Sequence, residues 1–215
     1  MLISENISFR YRKNKKQTLS DLNVKTDDGD LTAVMGESGS GKSTFLAVMA
    51  GILKPDQGKV LFNGEDIYSL DDRKLSDIHL RHISYVPQSN IMLKHLTVIE
   101  NIICAFKETE DEGTLKERAL GLMDKLGISE LGEKFPYELS GGELKRASLV
   151  RAILMSPDIL IADEPTTGLD KVTGDRILNF LREYADGKRS VLVATHDEHI
   201  KDYADKIVTI ERSLR

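Results

Sequence analysis

The chain has 215 residues, 40% hydrophobic and 30% charged, which allows one domain with a sizeable core. Its net charge of -5 supplies no basic field, which argues against nucleic acid as a partner. One cysteine, Cys104, excludes an internal disulfide and a cysteine-based zinc site, and no run approaches the ~18 apolar residues that span a bilayer. The chain is therefore expected to be soluble, in a reducing compartment and without a signal peptide, with any membrane role passing through a partner.

In chain order, Leu2 to Phe9, Leu19 to Val24 and Leu31 to Met35 read as strands, with Asp27, Asp28 and Gly29 as turn residues. The basic run Arg10 to Lys16 reads as a solvated turn, a membrane-surface contact being the sharper alternative. A helix is predicted from near Lys42 to Gly51, and Val60 to Phe62 leads into the turn Asn63-Gly64. Lys107 to Gly113 is polar and acidic, an expected exposed loop. Thr114-Leu115-Lys116-Glu117 has capping-box spacing and is expected to open a helix that ends at Gly127. Further helices are expected after Gly141-Gly142 and from about Asp170 to Ala185.

Ile159 to Ala162 and Val191 to Ala194 are short apolar runs of the kind that form buried parallel strands, and Ile207 to Ile210 reads as a last strand. Alternating strands and helices predict a parallel sheet covered on both faces, interrupted by a helical stretch from about Gln88 to Leu139. Cys104, among Ile102, Ile103 and Ala105, reads as a core residue. His79, His82, His95 and His199 read as surface residues without metal-ligand spacing.

Gly36-Glu37-Ser38-Gly39-Ser40-Gly41-Lys42-Ser43, followed by Thr44, matches the phosphate loop G-x-x-x-x-G-K-[ST] in full. Successive backbone N–H groups in such a loop turn inward as an anion nest, and the following helix N-terminus adds partial positive charge. Lys42 supplies a full charge for the β- and γ-phosphates of a nucleoside triphosphate, and the Ser43 hydroxyl is placed to bind Mg²⁺. A metal-bound triphosphate also needs a carboxylate at a neighbouring strand tip. Asp163 and Glu164 end the apolar run Ile159 to Ala162. Asp163 is the candidate for the metal, and Glu164 for the general base that polarises the attacking water.

Leu139-Ser140-Gly141-Gly142-Glu143 resembles the signature of the ATP-binding-cassette family, and other markers follow in order. Gln88 after Ile83 to Pro87 resembles the Q-loop, Gly168-Leu169-Asp170 the D-loop, and His196 the switch histidine. Tyr11 resembles the aromatic that stacks on adenine, with Phe9 as its rival. The resemblance covers essentially the whole chain. It implies an α/β P-loop NTPase with a mainly parallel sheet flanked by helices, an N-terminal antiparallel β-subdomain and an α-helical insert. A single ATPase domain is expected, with residues 1–87 and 141–215 as the core and 88–140 as the helical part.

The resemblance also implies ATP and Mg²⁺ as ligands and a homodimer in the ATP-bound state. Ser140, Gly141, Gly142 and Glu143 of one copy would close over the ATP of the other, with Asp170 at the interface. Gln88 would reach the metal and the attacking water, and His196 the γ-phosphate. Two residues depart from the family pattern: Glu143 stands where glutamine is usual, and Gly168 where alanine or asparagine is commoner.

The function implied is the energy-coupling subunit of a transporter, an ATPase held peripherally at the inner face of the cell membrane by a polytopic permease. The short chain, Glu143 and the pattern from Pro87 to Asn101 resemble the subunits of macrolide, lipoprotein and peptide exporters. Ile91, Met92, Leu93, Leu96 and Val98 are candidates for a groove that receives the permease. The alternative is a regulatory cassette of the cell-division type, which signals through a membrane partner without transport. The span from Gln88 to Ser140 is too short for the insert of a DNA-maintenance ATPase. With the last predicted strand ending so near Arg215, no regulatory C-terminal domain is expected.

Overall fold

A computed structural model describes residues 1–12, 17–89, 91–106 and 109–211. The strands in chain order are β1 (Leu2–Phe9), β2 (Leu19–Thr26), β3 (Leu31–Met35), β4 (Gln57–Phe62), β5 (Glu65–Asp66), β6 (Ile83–Val86), β7 (Ile159–Asp163), β8 (Ser190–Thr195) and β9 (Lys206–Thr209). The helices are α1 (Lys42–Met49), α2 (Asp72–Arg81), α3 (Val98–Ile103), α4 (Glu112–Lys125), α5 (Gly141–Ile153) and α6 (Lys171–Tyr184). Four strands form an antiparallel sheet in the order β2-β1-β4-β5, and five form a parallel sheet in the order β6-β7-β8-β3-β9.

Every residue of β3, β7 and β8 is buried, as their unbroken apolar runs require. Because side chains alternate across a strand, one apolar run feeds two cores. Val34, Ile161, Leu192 and Ala194 point to the core shared with α1 and the antiparallel sheet, around Phe45, Leu46, Leu2 and Val60. Ala33, Leu160, Ala162, Val191 and Val193 point to the other core, with residues of α3, α4, α5 and α6. Phe45 is fully buried, and truncating it to alanine would cost about 3–5 kcal/mol.

The strand order decides where a ligand can bind. β7, β8 and β3 are neighbours, and their carboxyl ends are in register, with Asp163 opposite Ala194 and Met35 opposite Thr195. The loops that leave these strands therefore start side by side, at the edge where open α/β sheets hold ligands.

Several local expectations change. The helix α4 is capped by Asp111, whose carboxylate accepts from the Thr114 backbone N–H at 3.1 Å, so it starts at Glu112 and not at Thr114. Asp111 is itself a strong N-cap residue one turn upstream, and the acidic Glu112 suits the first turn. Glu112 and Gly113 are thus helical, while residues 107 and 108 of the expected loop lie outside the described residues, as do residues 13–16 of the basic run.

α2 lies where the sequence reading assigns no element. None of its residues is fully buried, and its apolar face amounts to Leu75 and Ile78, which rest half-buried on the core. His79 and His82 lie at the surface as expected, and both have partners there: Nε2 of His79 lies 2.7 Å from the Ala50 carbonyl, and Nδ1 of His82 lies 2.7 Å from Asp158. Cys104 is half-buried in the turn after α3, where the core seat belongs to Ile102 and Ile103.

Candidate active site

The phosphate loop runs from the end of β3 into α1. A Cβ on Gly36 would lie 2.3 Å from the Ile210 carbonyl oxygen, so only glycine fits where the loop leaves the sheet. Gly41 precedes α1 at φ 102, and a Cβ there would meet the Thr18 carbonyl at 3.0 Å. Among the described residues no side chain caps α1, which leaves its first N–H groups open at the loop. Lys42 is 6% exposed, and its Nζ donates to the carbonyls of Gly36 at 2.7 Å and Glu37 at 3.1 Å.

Two carboxylates close the other side. Asp163 is buried at the end of β7, and its Oδ1 has no hydrogen-bond partner among the described residues. Burial pushes its carboxyl above the usual range, against the opposing hydrogen bond of Ser43. Such an orphaned anionic oxygen beside a serine hydroxyl suits a hard divalent cation.

Glu164 stands at φ 50, a left-handed backbone that costs a non-glycine residue about 1–2 kcal/mol. Its backbone N–H donates to Ala194 at 2.8 Å. Nδ1 of His196 lies 2.9 Å from Oε1, Thr167 Oγ1 donates to Oε2 at 2.6 Å, and Lys42 Nζ is 3.9 Å from Oε1. Burial pushes the Glu164 carboxyl up, but the bonds to His196 and Thr167 outweigh it and hold the group below the usual range, so it is ionised at neutral pH.

Thr18, Ser38, Gly39, Gly41, Lys42, Ser43, Thr44, Gln88, Glu164 and His196 line one cavity of about 470 Å³. Ser40, within the loop, is buried, and its Oγ has no hydrogen-bond partner among the described residues. Tyr11 is 42% exposed, with its hydroxyl 3.1 Å from Oγ1 of Thr44, which lines the cavity, and its ring perpendicular to that of the buried Phe9, so of the two aromatics only Tyr11 presents a ring to solvent.

The remaining candidates lie elsewhere. Ser140 and Gly141 are exposed, Gly142 and Glu143 half-buried, and none of the four lines that cavity. Ser140 caps α5, and Glu143 Oε2 accepts from both the backbone N–H and the hydroxyl of Ser140 at 2.7 Å. Asp170 caps α6 through Thr173 and lines a separate cavity with Thr166, Asp197 and His199.

Four contributors at the site escape the sequence reading. Thr18 lines the cavity, Thr167 and Thr195 face the Glu164 carboxylate, and Lys145 reaches backbone carbonyls beside it. Asn101 is a fifth, farther off: fully buried, it bonds to Leu93, Leu96 and Thr97 and braces the turn before α3. A lone polar residue carries no pattern that would reveal such bonds.

The family model described as "ABC transporter" matches residues 19–167. The macrolide export ATP-binding/permease protein MacB of Shewanella sp. (strain W3-18-1) is 31% identical over 208 residues, 96% of this chain and 32% of that protein. This chain therefore spans about a third of the length of that relative. The lipoprotein-releasing system ATP-binding protein LolD of Treponema denticola is 32% identical over 200 residues, 92% of this chain and 88% of that protein. A dimeric ATP-binding cassette in a post-hydrolysis state, bound to ADP and Pi, superposes with a TM-score of 0.91 at 28% identity, over 99% of this chain and 97% of that one. Among the described residues, no helix is long and apolar enough to cross a membrane. Likeness that extends from the strands before the loop to beyond Glu164 is too broad to rest on the phosphate loop alone, and by it the chain belongs to the ABC transporter family as an ATP-hydrolysing cassette.

Proposed function

We propose that two copies of this chain close around two ATP, each with Mg²⁺, and that closure and reopening drive a polytopic membrane permease. The permease is of the exporter or mechanotransmission kind, for peptides, lipoproteins or drugs, and holds the cassette at the cytoplasmic face. The observation that carries the clamp is the division of the site. Much of the loop, from Ser38 to Thr44, shares one cavity with Gln88, Glu164 and His196, while Ser140 to Glu143 stand outside it at an exposed helix end. The relatives' names, macrolide export and lipoprotein release, support the kind of permease.

In this reading, residues 36–44 bind the triphosphate and Tyr11 the base. Asp163, Ser43 and Gln88 would hold Mg²⁺, which when bound neutralises phosphate charge. Glu164 takes the proton of the attacking water, His196 keeps the carboxylate oriented, and Lys42 leaves the carbonyls of Gly36 and Glu37 for the phosphates. Ser140, Gly141, Gly142 and Glu143 of the second copy cover the same ATP, with Asp170 at the interface. Residues 88–140 form the helical part that passes motion to the permease.

Glu164→Gln in ATP and Mg²⁺ tests the clamp. Hydrolysis should fall on the order of 10²–10⁴-fold and a dimer should accumulate on size exclusion. An ATP-loaded mutant that stays monomeric at high concentration, with the permease present, would sink it. Ser140→Arg should block that dimer while sparing ATP binding. For the docking groove, Leu93 is the better probe than Met92: Leu93 is 56% exposed, whereas Met92 packs on the core. Leu93→Asp should uncouple ATPase activity from the permease, and unchanged transport would remove the groove from the proposal.

A further inference from the structure

Lys145 lies on α5, the helix that Ser140 opens. Its Nζ donates to the Glu164 carbonyl oxygen at 2.9 Å and to the Thr167 carbonyl oxygen. These two residues are themselves joined, because the Thr167 hydroxyl donates to the Glu164 carboxylate at 2.6 Å. One half-buried ammonium therefore grips both ends of the turn that holds Glu164 at φ 50.

We infer that Lys145 is a positioning residue for the general base, and that it ties this base to the helix end that covers the partner copy's ATP. The inference rests on the reading of Glu164 as the base and of Ser140 to Gly142 as the second jaw. An ammonium carries several donors and no acceptor, so it satisfies two carbonyls that a neutral side chain of the same length leaves bare. Bonds from an ionised donor are the stronger kind, and they act here on a backbone conformation that a glutamate does not favour. A helix moves as a rigid unit. When an arriving nucleotide shifts Ser140 to Gly142, Lys145 shifts with them and carries the Glu164 carbonyl. Each copy's base is then aligned by its own grip on the opposite ATP.

The test compares Lys145→Met, Lys145→Arg and Glu164→Gln in the full chain, by steady-state ATP hydrolysis and by binding of a fluorescent ATP analogue. Lys145→Met should lower kcat by about 10- to 100-fold, the scale of a misplaced catalytic group, with analogue affinity within about twofold. Lys145→Arg, which keeps the charge and the donors, should recover most of kcat. A wild-type kcat in Lys145→Met, or a loss of affinity in step with kcat, would overturn the inference. If Lys145→Met does not fold, Lys145→Gln takes its place, with an intermediate kcat and wild-type affinity expected and the same two results overturning it. Glu164→Gln separates the two readings. Full turnover in that variant removes the base assignment itself, whereas its loss beside a fully active Lys145→Met removes only the role of Lys145.

Discussion

The N-termini of α1 and α5 are both flanked by glycines, yet they end in opposite ways. α1 follows Gly41 with no side-chain cap and with the Lys42 ammonium folded beneath the loop. α5 follows Ser140 with a complete capping box, and the Glu143 carboxylate sits on both the hydroxyl and the backbone N–H of Ser140. A helix start attracts anions through its free N–H groups and its dipole. At α1 those groups are free and a cation is already in place. At α5 the chain's own carboxylate holds the Ser140 hydroxyl and N–H, so the ATP of a second copy can use that end only after displacing this bond. A helix N-terminus is thus an open anion site only where the neighbouring side chains leave it so.

Four substitutions break or sharpen this contrast, the largest effect first. Lys42→Met removes the cation from the open end, and kcat/KM for ATP should fall on the order of 10³-fold; a loss under about tenfold in steady-state assays would mean that the backbone nest suffices. Gly41→Ala forces a side chain into φ 102 against Thr18, and denaturant unfolding should show about 2 kcal/mol of lost stability. Ser140→Ala opens the capping box, and the same measurement should show about 1 kcal/mol.

Glu143→Gln is the subtlest, with about 0.5 kcal/mol of lost stability expected from the weaker dipole interaction. Its pH dependence is the sharper readout. The side-chain bond from Ser140, with the backbone bond beside it, holds the Glu143 carboxyl below the usual range. A depressed carboxyl stabilises the fold above its unfolded pKa and ceases to do so as pH falls through its folded value. The wild-type chain should therefore lose this increment on acidification through the carboxylate range, and Glu143→Gln should not. Equal acid limbs for the two proteins would show that the capping carboxylate contributes nothing to the fold.

Much of this molecule is written in contiguous residues. The phosphate loop, the apolar runs of β3, β7 and β8, and the turn Asn63-Gly64 are each specified within a few positions, because backbone angles, alternation and turn chemistry are local. Gly51 at φ 75 and Gly127 at φ 64 end α1 and α4 for the same reason. The start of α4 was legible only within a turn, since Asp111 and Thr114 are both good caps and the packed helix selects one.

Tertiary structure decided what no local pattern contains. α2 has too thin an apolar face to announce itself, and it exists by resting on the core that α1 and the antiparallel sheet share. The cavity exists because β7, β8 and β3 are adjacent in the sheet although far apart in the chain. Glu164 owes its orientation to His196 and its backbone support to Lys145, residues that share no sequence window with it. Sequence by itself named the groups that handle a triphosphate, because their chemistry lies in short motifs. The partners that hold those groups in place act through space, and only the packing of the two sheets and α5 brings them together.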